Sequence, residues 1–258
     1  LPTLVTLDDI RGDLHCHTNA TDGHHTIETL VAAARERGYA YVLVSDHSRS
    51  TRVAGGLTAE EALAHVGKIR AIARKQRGIA VLAGSECDIL PDGSLDYPDD
   101  VLAQMDLVVA AVHSRFKQPR AEMTKRICRA LENPYVNILA HPTGRLIGLR
   151  EPYDVDLEAV FAAARRYGKA LEINCYPERL DLNDVHARRA RELGVLLAIN
   201  TDTHALDQLD SMRFGVATAR RAWVEPAEVI NTWPVGQLRA WARKTLKPGR
   251  RRVAAGAA

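Results

Sequence analysis

Seven short apolar runs in this chain stop at a histidine, an acid or an asparagine or, in one case, two residues short of a glutamate, and helical segments separate most of them. The runs are GDLHC at 12–16, YVLVS at 41–45, IAVLA at 79–83, LVVAAV at 107–112, VNILA at 136–140, ALEI at 170–173 and LLAI at 196–199. Runs of this length without alternation suit strands buried on both faces of a parallel sheet. Strands that alternate with helices imply βα units. An open doubly wound sheet would concentrate ligand-type residues at one switch point. Here they follow every strand, as they do where all strand ends converge on the mouth of a barrel. The expectation is therefore a single-domain α/β protein, a TIM-like barrel of seven strands.

Helices are predicted at 26–37, 58–76, 120–132, 156–167, 183–193, 211–222, 226–231 and 235–244. Thr58 followed by Glu61 reads as a capping box, and Gly38, Gly168 and Gly194 as stops. Residues 1–10 show no sustained period and read as a leader, 11–244 as the barrel, and 245–258 as a basic, flexible tail. From Arg239 onward come Arg243, Lys244, Lys247, Arg250, Arg251 and Arg252 without an acid. Such a run either meets phosphates or keeps a tail solvated. The net charge of +3 is too small to argue for nucleic acid by itself. Neither a membrane span nor a signal peptide is visible, which makes a cytoplasmic protein the expectation. The four cysteines are scattered and read as small buried residues rather than a disulfide or thiolate framework.

In RGDLHCHTNATDGHH, residues 11–25, His15 and His17 stand at i and i+2, so a strand points both imidazoles one way and Cys16 the other. The mouth would also collect Asp22, His47, Glu86, His113, His141, Asp202 and His204. Six of the ten histidines thus fall just past predicted strands, while His65 and His186 lie on helical faces and His24 and His25 in a loop. Imidazoles and carboxylates without thiolate suit zinc, manganese or iron(II), and nine donors are too many for one ion. Two or three ions are implied, with Glu86 as the carboxylate bridging neighbouring ions. Asp46 is expected behind the ligands, orienting a histidine.

DLHCHT, TDG, SDH, GSE, VHS, AHP and NTDTH, in this order, resemble the motifs of the polymerase and histidinol phosphatase (PHP) family of metal-dependent phosphoesterases. The resemblance spans roughly residues 11–215. LVTLDDIRGDLHCHT, EINCYPERLDLND and INTDTHALDQLDSMRFGVATARRAW are most similar to the C-terminal PHP domain of bacterial and archaeal family X DNA polymerases. That resemblance implies a distorted (β/α)7 barrel holding three divalent ions. It assigns His15, His17, Glu86 and Asp202 to the first, Glu86, His113 and His141 to the second, and Asp22, His47 and His204 to the third.

The reaction expected is hydrolysis of a phosphoester by water that the ions activate, with His15, Glu86 and Asp202 at its centre. Arg179, Arg145 and Lys117 follow strand-end residues and are candidates for the phosphate, with Arg115 a weaker one. The expected substrate is the 3′ end of DNA, single-stranded above all, attacked by a 3′–5′ exonuclease that could extend to 3′-phosphates or abasic sites. The implied partner is a polymerase core. Two other classes stay open: a small-molecule phosphatase of the histidinol-phosphate type, and a module that binds metal without turnover. Retention of every ligand-type residue argues against the last.

Overall fold

The computed structural model describes residues 2–245. Seven parallel strands lie in sequence order: β1 Gly12–Cys16, β2 Tyr41–Val44, β3 Ala80–Asp88, β4 Leu107–Ala111, β5 Ile138–Leu139, β6 Ala170–Asn174 and β7 Leu196–Asn200. Helices α1 Ile27–Glu36, α2 Ala59–Ala73, α3 Asp99–Leu102, α4 Arg120–Glu132, α5 Leu157–Tyr167, α6 Asp184–Glu192, α7 Met212–Arg221 and α8 Val235–Thr245 complete the chain. The predicted capping box forms at Thr58 and Glu61, and Gly168 ends α5 in the left-handed conformation. Two expectations are corrected. The segment 226–231 is not one helix but two 3-10 turns, Pro226–Glu228 and Ile230–Thr232. The third strand does not stop at Ala83; it runs to Asp88, so Glu86 lies inside it.

The extra length of β3 makes it the corner of the barrel. Residues Ala80–Ala83 pair with β2, whereas Gly84–Asp88 pair with β4. Gly84 stands where the strand changes partner, and a Cβ there would meet the Leu107 carbonyl oxygen and the Leu43 side chain. Only glycine lets the two ladders approach at this point.

Alternation sorts the inward side chains by height. Tyr41, Leu43, Leu82, Leu107, Val109, Ile138, Ala170 and Ala198 form an inner apolar cluster, closed at the N-terminal end by Ile230 and by Leu238 and Ala242 of α8. Inward positions farther along the same strands are polar: Ser45, Glu86, Glu172, Asn174 and Asn200, all buried. A second, larger cluster packs the outward faces against the helices. Apolar burial thus holds one half of the barrel and leaves the other for chemistry.

β1 and β7 close the ring with a single bridge, Cys16 to Thr203, in which His17 N–H donates to Thr203 O at 2.9 Å. Below it two asparagine side chains replace the ladder, Asn200 Oδ1 accepting from Leu14 N–H at 3.2 Å and Asn231 spanning the rest. The Asn231 amide accepts from Ile199 N–H at 2.8 Å and donates to Ile199 O at 2.8 Å and Gly12 O at 3.0 Å. Its backbone carbonyl also accepts from Arg11 N–H at 2.8 Å. Buried backbone groups must be paired, and Asn200 and Asn231 pair those that the missing strand contacts leave.

The stretch before β1 packs on the barrel: Val5 is fully buried, and its N–H donates to Val224 O at 3.0 Å. At the other end, Trp241 Nε1–H donates to Gly168 O at 3.0 Å, just before β6 begins, so α8 covers the face opposite the strand C-termini. Arg239 and Arg243 are on that helix; Lys247, Arg250, Arg251 and Arg252 lie outside the described residues. All four cysteines are free, and three of them are buried. Among the described residues no helix is long and apolar enough to cross a membrane.

Asn231→Ala leaves several buried backbone groups unpaired at the seam and is expected to cost about 3 kcal/mol. Urea unfolding of the metal-free protein checks this; a loss below about 1 kcal/mol would mean that the seam does not depend on Asn231.

Candidate metal centre

The polar half of the barrel is built around Glu86. Its backbone is held from both sides, donating to Ser45 O at 2.8 Å and accepting from Ser48 N–H at 3.0 Å, while β4 pairs along its other edge. The side chain, 1% exposed, divides its two oxygens between two sets of imidazoles. Oε2 faces His47 Nδ1 at 3.0 Å, His15 Nε2 at 3.3 Å and His17 Nε2 at 3.5 Å. Oε1 faces His141 Nε2 at 2.9 Å and His113 Nε2 at 3.2 Å. Asp202 Oδ1 joins the first set, 3.2 Å from His17 and 3.5 Å from His15. Farther out, Asp22 Oδ2 meets His204 Nε2 at 3.3 Å and His47 Nε2 at 3.6 Å.

All nine expected donors therefore meet in one cleft. Three groups have ligand atoms within 4.8 Å of one another: His15, His17, Glu86 and Asp202; His47, Glu86 and His113; and His17, Asp22, His47 and His204. The sharing differs from the expected assignment. His17 and His47 each belong to two groups, and His141 reaches the cluster through Glu86 Oε1 alone. The His17 ring explains its double membership, stacking between His47 and His204 with centroids 4.3 Å from each.

Outer partners fix how several rings face the cluster. His15 Nδ1–H donates to Glu172 Oε1 at 2.8 Å and His113 Nδ1–H to Asp88 Oδ1 at 2.6 Å. His204 Nδ1–H donates to the Asp202 carbonyl at 2.8 Å. Each bond places the proton on Nδ1 and turns the Nε2 lone pair inward. Glu172 also accepts from His141 N–H at 2.8 Å and from the Asn174 and Asn200 amides at 3.1 and 2.9 Å. Glu172 and Asp88 were not anticipated. Both are acids at inward positions of strands, one hidden in the run ALEIN and the other two residues past Glu86.

Two donors sit on left-handed backbone, Asp202 at φ 55° and His141 at φ 26°. Such residues cost on the order of 1 kcal/mol each and persist where the surroundings over-determine them. Here each aims a side chain back into the cleft immediately after its strand.

A fit to metal follows from atoms without partners. His15 Nε2, His17 Nδ1, Asp22 Oδ1, His47 Nδ1, Glu86 Oε2 and His141 Nδ1 are buried and have no hydrogen bond. His47 Nδ1 and Glu86 Oε2 are 3.0 Å apart yet do not align as donor and acceptor. His15 Nε2, His47 Nδ1 and Glu86 Oε2 converge as lone pairs that a cation satisfies, whereas His17 and His141 turn Nε2 toward Glu86 and leave Nδ1 on the far side of the ring. The electrostatics agree. Burial alone would raise Glu86, but the charges of His113, His15 and His47 hold it well below the usual range. Burial would lower His47 and His113, but Glu86 and a second carboxylate beside each lift them to about 10 and about 9. His17, buried and next to His47, falls to about 4. Protons and divalent cations compete for such lone pairs.

The remaining candidates divide. Arg179 reaches the cluster, its Nε 3.5 Å from Asp202 Oδ2. Arg145 is occupied with backbone, donating from Nε to Arg179 O at 2.7 Å and from Nη2 to Leu180 O at 2.6 Å, so it holds the loop that carries Arg179. Lys117 and Arg115 are exposed in the turn after β4. Asp46 holds a histidine, as expected, but that histidine is His65, which is buried on α2 and is not one of the nine donors.

The model of the PHP domain matches residues 13–175, which include seven of the nine donors. The DNA polymerase/3′-5′ exonuclease PolX of Bacillus subtilis (strain 168) is 44% identical over 93% of this chain, which spans 42% of that protein's length. A probable phosphatase of Thermoanaerobacter sp. (strain X514) is 28% identical, with 93% of this chain and 96% of that one covered. The histidinol phosphate phosphatase of Lactococcus lactis, in a crystal structure with zinc, L-histidinol and phosphate, superposes with a TM-score of 0.56 at 17% identity. The match covers 81% of this chain and 93% of that one. Ordered motifs, a seven-stranded barrel and a cleft of converging imidazoles and carboxylates agree with that match, and the chain belongs to the PHP family of metal-dependent phosphoesterases.

Proposed function

We propose that this chain hydrolyses phosphodiesters at the 3′ end of DNA, as the 3′–5′ exonuclease module of a family X DNA polymerase acting in repair, with 3′-phosphates and abasic sites as further substrates. The observation that carries DNA over a small phosphomonoester is the 44% identity to PolX, against 28% to the probable phosphatase. The part of PolX beyond the matched 42% leaves room for a polymerase core as partner. The rim adds support: Asp22 and His204, at the mouth, are 34% and 29% exposed, as suits a strand end entering from solvent.

The residues would hold three ions, manganese or zinc, with iron(II) compatible with the same donors. His15, His17, Glu86 and Asp202 would hold one, Glu86, His113 and His141, with His47 alongside, a second, and Asp22, His47 and His204, beside His17, a third. When bound, the ions supply an activated water and neutralise charge on the phosphate. The chain supplies the rest. Glu172 and Asp88 keep the His15 and His113 rings turned inward, and Glu86 sets the spacing between the two inner positions. Arg179, its guanidinium beside Asp202, is placed to take phosphate oxygens, and Arg145 keeps its loop in place. Lys117, on the rim, would meet the backbone of the strand farther from the reaction.

The test runs a 5′-labelled single strand and histidinol phosphate in parallel, each with manganese. The expected result is a ladder shortening from the 3′ end, with kcat/KM on DNA above that on histidinol phosphate by about a hundredfold or more. Histidinol phosphate turnover without a ladder would replace this reading with the small-molecule phosphatase. Glu86→Ala is expected to lower the exonuclease rate per folded molecule by about a thousandfold or more and to release metal, because its two oxygens serve two positions. A Glu86→Ala protein that keeps its metals and near-normal turnover removes the bridge from the mechanism.

A further inference from the structure

Behind the cleft, on the outward side of the strand ends, lies a buried carboxylate with four donors. Asp46 follows β2, and alternation that sends Ser45 and His47 inward sends it outward. Its Oδ1 accepts from Thr18 N–H at 2.8 Å and Thr21 Oγ1–H at 2.7 Å; its Oδ2 accepts from Thr18 Oγ1–H at 2.7 Å and His65 Nε2–H at 2.8 Å. Three of the four donors belong to the loop between His17 and Asp22. The fourth, His65, comes from the middle of α2 and is 9% exposed.

Asp22 needs this support more than the other donors do. His15, His17, His47, His113 and His141 stand within a strand or at most three residues past its end and His204 four residues past β7, whereas Asp22 sits six residues past the end of β1 on a tight loop. That loop folds back on itself, with Gly23 N–H donating to Thr18 O at 2.9 Å. A Cβ on Gly23 would lie 2.6 Å from the His17 carbonyl carbon, so only glycine permits this close turn. A carboxylate can still rotate about its own bond to the chain. His65 on Oδ2, together with the two Thr18 donors that bind both oxygens, fixes the plane of Asp46 so that Oδ1 stays aimed at Thr21, the residue before Asp22.

We propose that His65 is a positioning residue for the outermost metal position: through Asp46 and Thr21 it holds Asp22 where His47 and His204 can share a cation with it. The consequence is selective. The two inner positions, anchored on strands, do not depend on His65, whereas the outermost one does. This inference rests on the three-ion reading above.

The test titrates manganese into metal-free wild type, His65→Leu, His65→Gln and Thr21→Val, with bound metal counted by elemental analysis; Asp22→Ala identifies the binding step that belongs to the outermost position. Loss of an outer partner typically weakens metal binding about 10–100-fold, and that loss is expected for this one step in His65→Leu and Thr21→Val, with the other steps changed by less than about twofold. His65→Gln, whose amide N–H can replace the imidazole donor, should restore most of it. Unchanged affinity in folded His65→Leu and Thr21→Val would overturn the proposal, and so would parallel weakening of every step together with a lower Tm of the metal-free protein. If His65→Leu does not fold, Thr21→Val and His65→Gln decide. Fewer than three ions in wild type would sink the three-ion reading and this inference together, whereas three ions that His65→Leu leaves untouched would sink only the role of His65.

Discussion

A carboxylate at the axis of a barrel, 1% exposed, cannot remain there as an isolated charge, since burying one costs several kcal/mol even after the protein relaxes. Glu86 is tolerated because five imidazole nitrogens surround its two oxygens, and those imidazoles are crowded together because Glu86 draws them. Neither half of the cluster is stable without the other, and protons alone satisfy it incompletely. Several of its lone pairs have no hydrogen bond at all. The strands that carry these residues, and the Glu172 and Asp88 carboxylates behind His15 and His113, keep this arrangement rigid.

Rigidity comes from the division of the barrel by height. Inward positions near the N-terminal ends are leucine, valine, isoleucine and tyrosine, closed by α8, and this apolar plug keeps the strands in register. Glu172 and Asn200 stand two residues past the inward Ala170 and Ala198, and Glu86 four past Leu82, with Gly84 between. The change from apolar to polar happens within one or two steps of the two-residue period, so Glu86 and Glu172 stand on strands directly above the packed core. The weak seam between β1 and β7 lies directly beneath His15, His17 and Asp202, where Asn200 and Asn231 replace strand pairing. Left-handed backbone at Asp202 and His141 shows a local cost carried at the site and offset by the core.

Much of this was legible because one physical rule, alternation along a strand, links sequence spacing to a common direction. It brought His15 and His17 to one spot, while the ligand-type residues that follow the apolar runs predicted the barrel and its mouth. The same rule could have found Glu172, which shares a face with Asn174, and Asp88, which shares one with Glu86; the apolar or strand-like surroundings hid them as ordinary strand residues. His65 was not legible. Its period is helical, and only tertiary packing brings α2 against Asp46. The role of Arg145 was hidden for a similar reason, since a guanidinium after a strand reads as a phosphate ligand until the Arg179 and Leu180 carbonyls are seen to occupy it. The sharing of His17 between two groups depends on ring stacking, which spacing does not encode.

The central proposal is that Glu86 would stand between two of three metal positions in the cleft. Anomalous diffraction from a crystal of this chain grown with manganese tests it directly. The account predicts three peaks at the C-terminal face of the strands, two of them on opposite sides of the Glu86 carboxylate and the third beside Asp22 and His204. A single peak, or two peaks that both lie away from Glu86, would contradict it.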